Sequence, residues 1–378
     1  MDNHSTTRID KSVLDAMLPY LTELYGNASS KSHPYGWMAE QAAANARNII
    51  ASHINCKPEE IYFTSGTTES NHIALSGIIL SNKKDSHVIT SVTEHSSVLN
   101  LLGYFERNGL HVTYLPVDKY GQIDIDQLND SIIPDTILVS LMTANNEIGT
   151  IHPIKEIGDI CRSKDVLFHT DAAQAIGKMR IDTALNNIDL LSISAHKNYG
   201  PKGTGALYIN KRVKLTPVFW GGGQEKGIRP GTLNIPGIVG LGKCVEISEI
   251  ILEKETGGLL NLRDRMYNGI KQEVDDLHLN GHPVNRLPNN LNISFPGIQN
   301  TESFLMELRE FAFSTGAACS SGKDEFSHVL QAIGLQENLI RTSLRFGIGR
   351  FNTEEEVDFA IEKITAAVKK IRNSQVLL

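Results

Sequence analysis

The feature that most constrains the fold is an alternation of short apolar runs with helical segments over the first two hundred residues. Residues 37–54 have helical spacing, 61–65 form an apolar run of strand length, and 67–80 are helical again. Further apolar runs of strand length follow at 87–92, 111–117, 136–142, 166–170, 188–194 and 203–210. This succession predicts an α/β fold with a mostly parallel sheet covered by helices on both faces, and 203–210 is a candidate antiparallel strand.

The pattern becomes less regular after the glycine-rich segment 221–227, with strand candidates LNISF and SLRFGIG and helices between them. A last helical segment begins acidic and ends basic, as the helix dipole favours. A chain of 378 residues exceeds the size at which a single core usually stops growing. We therefore expect a large domain at 16–249, a smaller α+β domain at 250–378, and an N-terminal arm at 1–15 that packs with the smaller domain.

Charge and hydropathy exclude several classes of function. The net charge is −7 and no long basic run is present, so direct nucleic-acid binding is not expected. No apolar run is long enough to span a bilayer and the N-terminus lacks signal-peptide features, which predicts a cytoplasmic protein. The four cysteines form no CxxC pair, so neither a zinc site nor a disulfide framework is expected, and no metal is predicted.

Polar groups directly follow five of the predicted strands, at the edge where open α/β sheets bind ligands. A single polar residue after a strand is ordinary turn chemistry, but five in succession indicate a site. These groups are Gly66-Thr67-Thr68, Glu94-His95, Asn145-Asn146-Glu147, Asp171 with Gln174, and His196-Lys197.

Three of these features together match the needs of pyridoxal phosphate (PLP). Ser65-Gly66-Thr67-Thr68 leads into a helix and would place backbone N–H groups around a phosphate, although a simple helix cap is the alternative reading. Lys197 could form a Schiff base and Asp171 could pair with the ring nitrogen. His95 could stack on the ring or move a proton, or simply cap the helix that follows it.

The chain resembles the cysteine desulfurases of the class V aminotransferase superfamily, the group typified by the NifS and IscS proteins. The resemblance runs almost from end to end, through DNHSTT, YGNASSKSH, FTSGTTES, TEHSSV, NNEIGT, HTDAAQ, SISAHKNYGPKGTGALY, GGGQEKGIRPGT, STGAACSSG and SLRFGIGRF. It implies the PLP-dependent fold of type I and conversion of L-cysteine to L-alanine.

The resemblance also implies roles for individual residues. PLP would be bound to Lys197, with Asp171 at the pyridine nitrogen and His95 over the ring. Substrate-binding residues would be Arg345, at the carboxylate, and Asn27 close by. The other cofactor-binding residues would be Thr67, Thr68, Asn146, Gln174, Ser194, His196 and Thr232, of which Thr232 would reach the phosphate of the neighbouring subunit in a homodimer with shared active sites.

Cys319 is the candidate carrier of the sulfur. It lies in a run of small residues, STGAACSSG, whereas structural cysteines usually have bulky apolar neighbours. By the resemblance, Cys319 accepts the sulfur as a persulfide and passes it to an acceptor protein, either an iron–sulfur scaffold or a thiolation enzyme. Cys56, Cys161 and Cys244 are expected to be packing residues.

Rival functions share the fold. An aminotransferase, a selenocysteine lyase or another β-eliminating enzyme would use the same cofactor, and fold alone does not exclude them. A non-enzymatic scaffold that has lost the chemistry is a further alternative, against which Lys197, Asp171 and His95 argue.

Overall fold

The structure is a computed structural model that describes residues 1–316 and 326–376. Its helices are α1 Lys11–Met17, α2 Pro19–Thr22, α3 Pro34–His53, α4 Thr67–Leu80, α5 Ser96–Glu106, α6 Ile125–Ser131, α7 Ile154–Ser163, α8 Ile235–Glu273, α9 Thr301–Glu307, α10 His328–Ala332, α11 Glu337–Arg341 and α12 Glu354–Val376. Its strands are β1 Ile61–Thr64, β2 His87–Ser91, β3 His111–Leu115, β4 Thr136–Ser140, β5 Leu167–Asp171, β6 Leu190–Ser194, β7 Gly205–Ile209, β8 His278–Leu279, β9 Asn290–Ser294, β10 Ser314–Thr315 and β11 Ser343–Gly347.

Seven strands of the described chain form the central sheet, in the order β1-β7-β6-β5-β4-β2-β3. The pairs from β6 to β3 are parallel, whereas β7 is antiparallel to both β6 and β1. Every residue of β2, β6 and β7 is buried, as strands covered on both faces require. The mostly parallel sheet and the antiparallel run at 203–210 are therefore confirmed.

Helices cover both faces of this sheet. Successive residues of a strand point to opposite faces, so alternate residues of the same strand pack in two different cores. Ile89 and Val139 pack in the core that includes α3, α7 and the start of α8. Val88 and Leu138 pack in the core that includes α4 and α5. The predicted α/β layering is thus present.

A second, antiparallel sheet has the order β10-β11-β9-β8. It shares a core with α9, α12 and the C-terminal half of α8. Helix α8 runs without interruption from the first core into this one, so the expected boundary at 249/250 falls inside a helix. That domain division stays a prediction.

The N-terminal residues tie the two sheets together. Asp2 forms a bridge with Gly347 at the end of β11, and Asn3 N donates to Gly347 O. A few residues on, Thr7 N donates to His196 O, which follows β6. The arm therefore crosses from the second sheet to the segment that carries Lys197. No helix within residues 1–316 and 326–376 is long and apolar enough to cross a membrane.

Acid is expected to destabilise the protein in part through His152, which is only 2% exposed and whose two ring nitrogens have no hydrogen-bond partner among the described residues. Burial lowers the pKa of His152 to about 4 from 6.5. Between these values the unfolded chain binds a proton that the folded protein does not, so stability falls as the pH drops, by at most roughly 1.4 kcal/mol per pH unit.

Urea unfolding at pH 7 and pH 5 tests this expectation. The loss of stability at pH 5 should be smaller in His152→Leu than in the unsubstituted protein, since the variant cannot gain that proton. The exposed His278→Leu serves as the matched control and should keep the full loss. An equal loss in His152→Leu would contradict the assignment.

Candidate active site

A cavity of about 620 Å³ lies where the parallel strands end. Strands β1, β2, β4, β5 and β6 all deliver residues to it, because their carboxyl ends meet at one edge of the sheet. The residues predicted from the sequence that line this cavity are Thr67, Thr68, His95, Asn146, Asp171, Gln174, Ser194, His196, Lys197 and Arg345.

One end of the cavity is suited to a phosphate. Helix α4 begins at Thr67, and its N-cap, Gly66, provides no side-chain hydrogen bond to the first turn. The hydroxyl of Thr67 is buried without a partner in the described part of the chain. Free backbone N–H groups and the positive end of the helix dipole thus face the cavity, together with a hydroxyl that lacks a partner.

Further cationic and polar groups surround this end. His196 and Lys202 line the cavity, and the Nδ1 of His196 lies 3.2 Å from the hydroxyl of Thr6. Burial and the charges of Lys197 and Lys202 lower the pKa of His196 to about 4. His196 is therefore a neutral hydrogen-bonding group at physiological pH, beside the charge of Lys202.

Lys197 lies in the turn after β6 and is held by the N-terminal arm. Its Nζ donates to the backbone oxygen of His4 and, at 2.7 Å, to that of Ser5. Burial and the nearby charge of Arg345 lower the pKa of Lys197 to about 8. More of this amine is neutral at physiological pH than in an exposed lysine, as a Schiff-base lysine needs.

Asp171 ends β5 on the same side of the cavity and is 7% exposed. One carboxylate oxygen accepts from the backbone N–H of Ala173 and the other from the side-chain amide of Asn71, each at 2.9 Å. These two N–H donors fix the orientation of the carboxylate. Such a carboxylate can accept a hydrogen bond from a protonated ring nitrogen.

His95 caps helix α5, so the capping role that the sequence offered as an alternative is confirmed. Its Nδ1 accepts from the backbone N–H of Ser97 at 3.1 Å, while the ring is open to the cavity. The surrounding protein excludes much of the bulk water and lowers the pKa of His95, with Lys197 acting in the same direction and Asp171 opposing. The imidazole therefore combines a capping role with a position in the cavity.

Arg345 comes from β11 and closes the cavity on the side of the second sheet. Its Nη1 donates to the backbone oxygen of Asn146 at 3.0 Å. Its Nη2 lies within hydrogen-bond distance of Ser314, Ser5 and Asp2 at 2.6, 2.8 and 3.1 Å. The guanidinium is thus fixed by both sheets and the arm, and Arg345 is among the residues that line the cavity.

Three of the predicted site residues are not among those that line the cavity. Asn27 and Thr232 are exposed elsewhere on this chain. Cys319 lies outside the described residues. Their roles stay predictions.

Some cavity residues had been given no role from the sequence, and His4 is the clearest of them. It is 1% exposed, and burial lowers its pKa to about 3. Its Nδ1 lies 3.0 Å from the Oε1 of Gln174, whose Nε2 donates to the backbone oxygen of His4 at 3.1 Å. His4 lies in the DNHSTT motif, but the sequence gives no sign that it contacts Gln174, which is 170 residues away in the chain.

The residues present fit PLP. The uncapped start of α4 and the unpaired hydroxyl of Thr67 would hold the phosphate. Asp171 would take the ring nitrogen, and Lys197 would form the covalent link. Within residues 1–316 and 326–376 no group of three or more His, Cys, Asp or Glu side chains is placed to hold a metal ion.

Known proteins resemble this chain over nearly its full length. The family model for aminotransferase class-V matches residues 1–359. The cysteine desulfurase IscS of Rickettsia rickettsii (strain Iowa) is 49% identical over 376 residues, which cover 98% of this chain and 91% of that protein.

Solved structures agree with this match. A NifS-like protein superposes with a TM-score of 0.91 at 36% identity and covers 98% of both chains. A structure described as SspA in complex with cysteine has a TM-score of 0.83 at 37% identity and covers 93% of this chain and 99% of that one. The predicted fold class and resemblance are confirmed, and the chain belongs to the aminotransferase class-V family.

Proposed function

We propose that this protein is a PLP-dependent cysteine desulfurase that converts L-cysteine to L-alanine and transfers the sulfur through Cys319. The observation that carries the proposal is that Lys197 and Asp171 face one cavity beside an uncapped helix start. The 49% identity to relatives named cysteine desulfurase, and the cysteine complex of a structural neighbour, favour cysteine as the substrate.

The proposal gives each side chain a task. Bound PLP supplies an electron sink that makes the Cα proton of the substrate acidic. Asp171 would hold the protonated ring nitrogen, and the amine of Lys197, which would carry the cofactor, would take the Cα proton. Arg345 holds the carboxylate through its planar fork.

Cys319 completes the reaction by removing the sulfur. Its thiolate attacks the sulfur of the substrate, the bond between that sulfur and Cβ breaks, and the sulfur stays on Cys319 as a persulfide. The electron pair of the broken bond remains with the carbon skeleton, which takes up protons and leaves as L-alanine. A sulfur-acceptor protein, an iron–sulfur scaffold or a thiolation enzyme, then receives the persulfide sulfur.

The homodimer with shared active sites is part of this proposal. Thr232 is exposed on this chain, close in sequence to Trp220, which is 87% exposed. Aromatic residues, Trp among them, are enriched in protein–protein interfaces. Such a contact would bring Thr232 to the phosphate in the other subunit.

The expected domain division and location also stay proposals. The arm at 1–15, the large domain at 16–249 and the small domain at 250–378 are supported by the two cores that α8 connects. A cytoplasmic location is supported by the free thiols of Cys56, Cys161 and Cys244, since thiols persist in reducing compartments.

Arg345→Lys is expected to raise the KM for L-cysteine roughly tenfold while kcat changes less. Lysine keeps the charge but loses the planar fork that pairs with a carboxylate through two parallel hydrogen bonds. Steady-state alanine formation measures both constants. The control is Arg265→Lys on α8, whose side chain is 45% exposed. An unchanged KM in Arg345→Lys would assign the carboxylate to another group.

The product balance tests the proposed function itself. Purified protein loaded with PLP and given L-cysteine should form alanine and transferable sulfur in equal amounts. An aminotransferase would instead form a keto acid and no alanine. A selenocysteine lyase would act on selenocysteine and leave L-cysteine unchanged. A protein that stays colourless with PLP would support the scaffold reading.

A further inference from the structure

A buried asparagine connects two residues of the active site. Asn71 lies in α4 and has no solvent exposure. Its Nδ2 donates to the Oδ2 of Asp171 and to the Oγ of Ser97, both at 2.9 Å. Ser97 in turn contacts His95. Four side chains thus form one continuous hydrogen-bonded series from the acid at β5 to the histidine before α5.

The orientation of the Asn71 amide follows from its charged neighbour. The carboxylate of Asp171 only accepts hydrogen bonds, so the group that faces it must be the NH₂ of Asn71. Both N–H bonds are then used, while the Oδ1 of Asn71 is buried without a partner in the described chain. Leaving a buried oxygen without a hydrogen bond costs about 1–3 kcal/mol of stability. An asparagine with only a structural role would avoid this cost.

The direction of the remaining bonds follows from Ser97. Its oxygen already accepts from Asn71, so its hydroxyl proton is available for the Nδ1 of His95 at 2.9 Å. The backbone N–H of Ser97 also donates to this Nδ1, at 3.1 Å. A ring nitrogen that accepts from two donors carries no proton itself, so the proton of the neutral ring is on Nε2.

We propose that Asn71 and Ser97 are positioning residues that fix the tautomer of His95 and the orientation of Asp171. Ser97 occupies Nδ1 with its hydroxyl and its backbone N–H, and Asn71 holds Ser97 and Asp171. This leaves the Nε2–H of His95 as the ring group available to the cavity that His95 lines. His95 then donates or exchanges a proton only through Nε2. This inference rests on the PLP site under the proposed function and adds two residues to it.

Variants of Ser97 test the proposal with little risk to the fold. Ser97→Ala removes the hydroxyl bond to Nδ1 but keeps the backbone bond, and is expected to lower kcat about tenfold with little change in KM. Ser97→Thr keeps a hydroxyl at the same position and should restore kcat to within about twofold of the unsubstituted protein.

A second readout does not depend on turnover. The visible band of the PLP-loaded protein, titrated without substrate, should shift its apparent pKa in Ser97→Ala and not in Ser97→Thr. Asn71→Ala removes a hydrogen-bond donor from Asp171. This variant should therefore raise the PLP dissociation constant about tenfold. Thermal unfolding of the PLP-free variants reports whether the substitutions damage the fold.

A double-mutant cycle decides whether Ser97 acts through His95. In a His95→Gln background the further change Ser97→Ala should have almost no effect on kcat or on the band, because its target is already removed. Additive losses in this cycle, a Ser97→Thr variant as impaired as Ser97→Ala, or a Ser97→Ala variant equal to the unsubstituted protein would each overturn the proposal. An unsubstituted protein that binds no PLP would instead remove the proposed function, and this inference with it.

Discussion

Replacing Lys197 with alanine is expected to abolish alanine formation from L-cysteine and to remove the visible band of the PLP-loaded protein. The variant loses both the amine that binds the cofactor covalently and the base for the Cα proton. General-base groups alone contribute roughly 10²–10⁴-fold, so a loss of at least about 10³-fold is expected. Absorbance after PLP addition and single-turnover alanine formation measure the two effects.

Lys202 provides the matched control, because it is the other lysine among the described residues that line the cavity. Lys202→Ala should keep the visible band, since its amine is expected to contribute charge near the phosphate and not the covalent link. If Lys202→Ala lost the band and Lys197→Ala kept it, the assignment of the Schiff-base lysine would be wrong.

Much of the fold follows from hydrophobic periodicity. Strands such as β2 and β6 are buried at every residue because both faces are covered, and their short, mostly non-charged segments are visible in the sequence. Strands β8 and β10, with two residues each, are not visible in this way. β8 pairs with β9, and β10 pairs with β11, so each short strand is recognisable only beside its longer partner.

Helix α8 shows a second limit of sequence reasoning. Its 39 residues cross the domain boundary expected at 249/250, so one element serves two cores. The boundary expected at 249/250 therefore does not coincide with the end of a helix. Whether a helix continues across such a boundary depends on contacts between segments that are distant in the chain.

The candidate site, like the fold, could be predicted only in part from the sequence. Residues that directly follow strands, such as Asp171 and Lys197, are recognisable because topology brings strand ends together. Asn71 and Ser97 lie inside helices and resemble ordinary helix residues in the sequence. Their role depends on hydrogen bonds across 26 and 100 residues, which only the structure shows.

Replacing Cys319 with alanine is expected to abolish transferable sulfur while the visible band of the PLP-loaded protein is preserved. This expectation comes from the small residues around Cys319 in the sequence and from the family. The experiment separates sulfur transfer from cofactor binding. The thiolate is the nucleophile in this transfer, and alanine offers none. Trapping the persulfide on the protein after one addition of L-cysteine measures the effect.

The other cysteines supply the control for this experiment. Burial raises the pKa of the Cys56, Cys161 and Cys244 thiols to about 12, so these side chains stay protonated and unreactive at neutral pH. Cys56 is the least buried of the three, and Cys56→Ser should therefore fold and keep full sulfur transfer. Undiminished transfer in Cys319→Ala would show that the sulfur leaves the cavity without a protein-bound persulfide at this position, and the desulfurase mechanism proposed for this chain would fail.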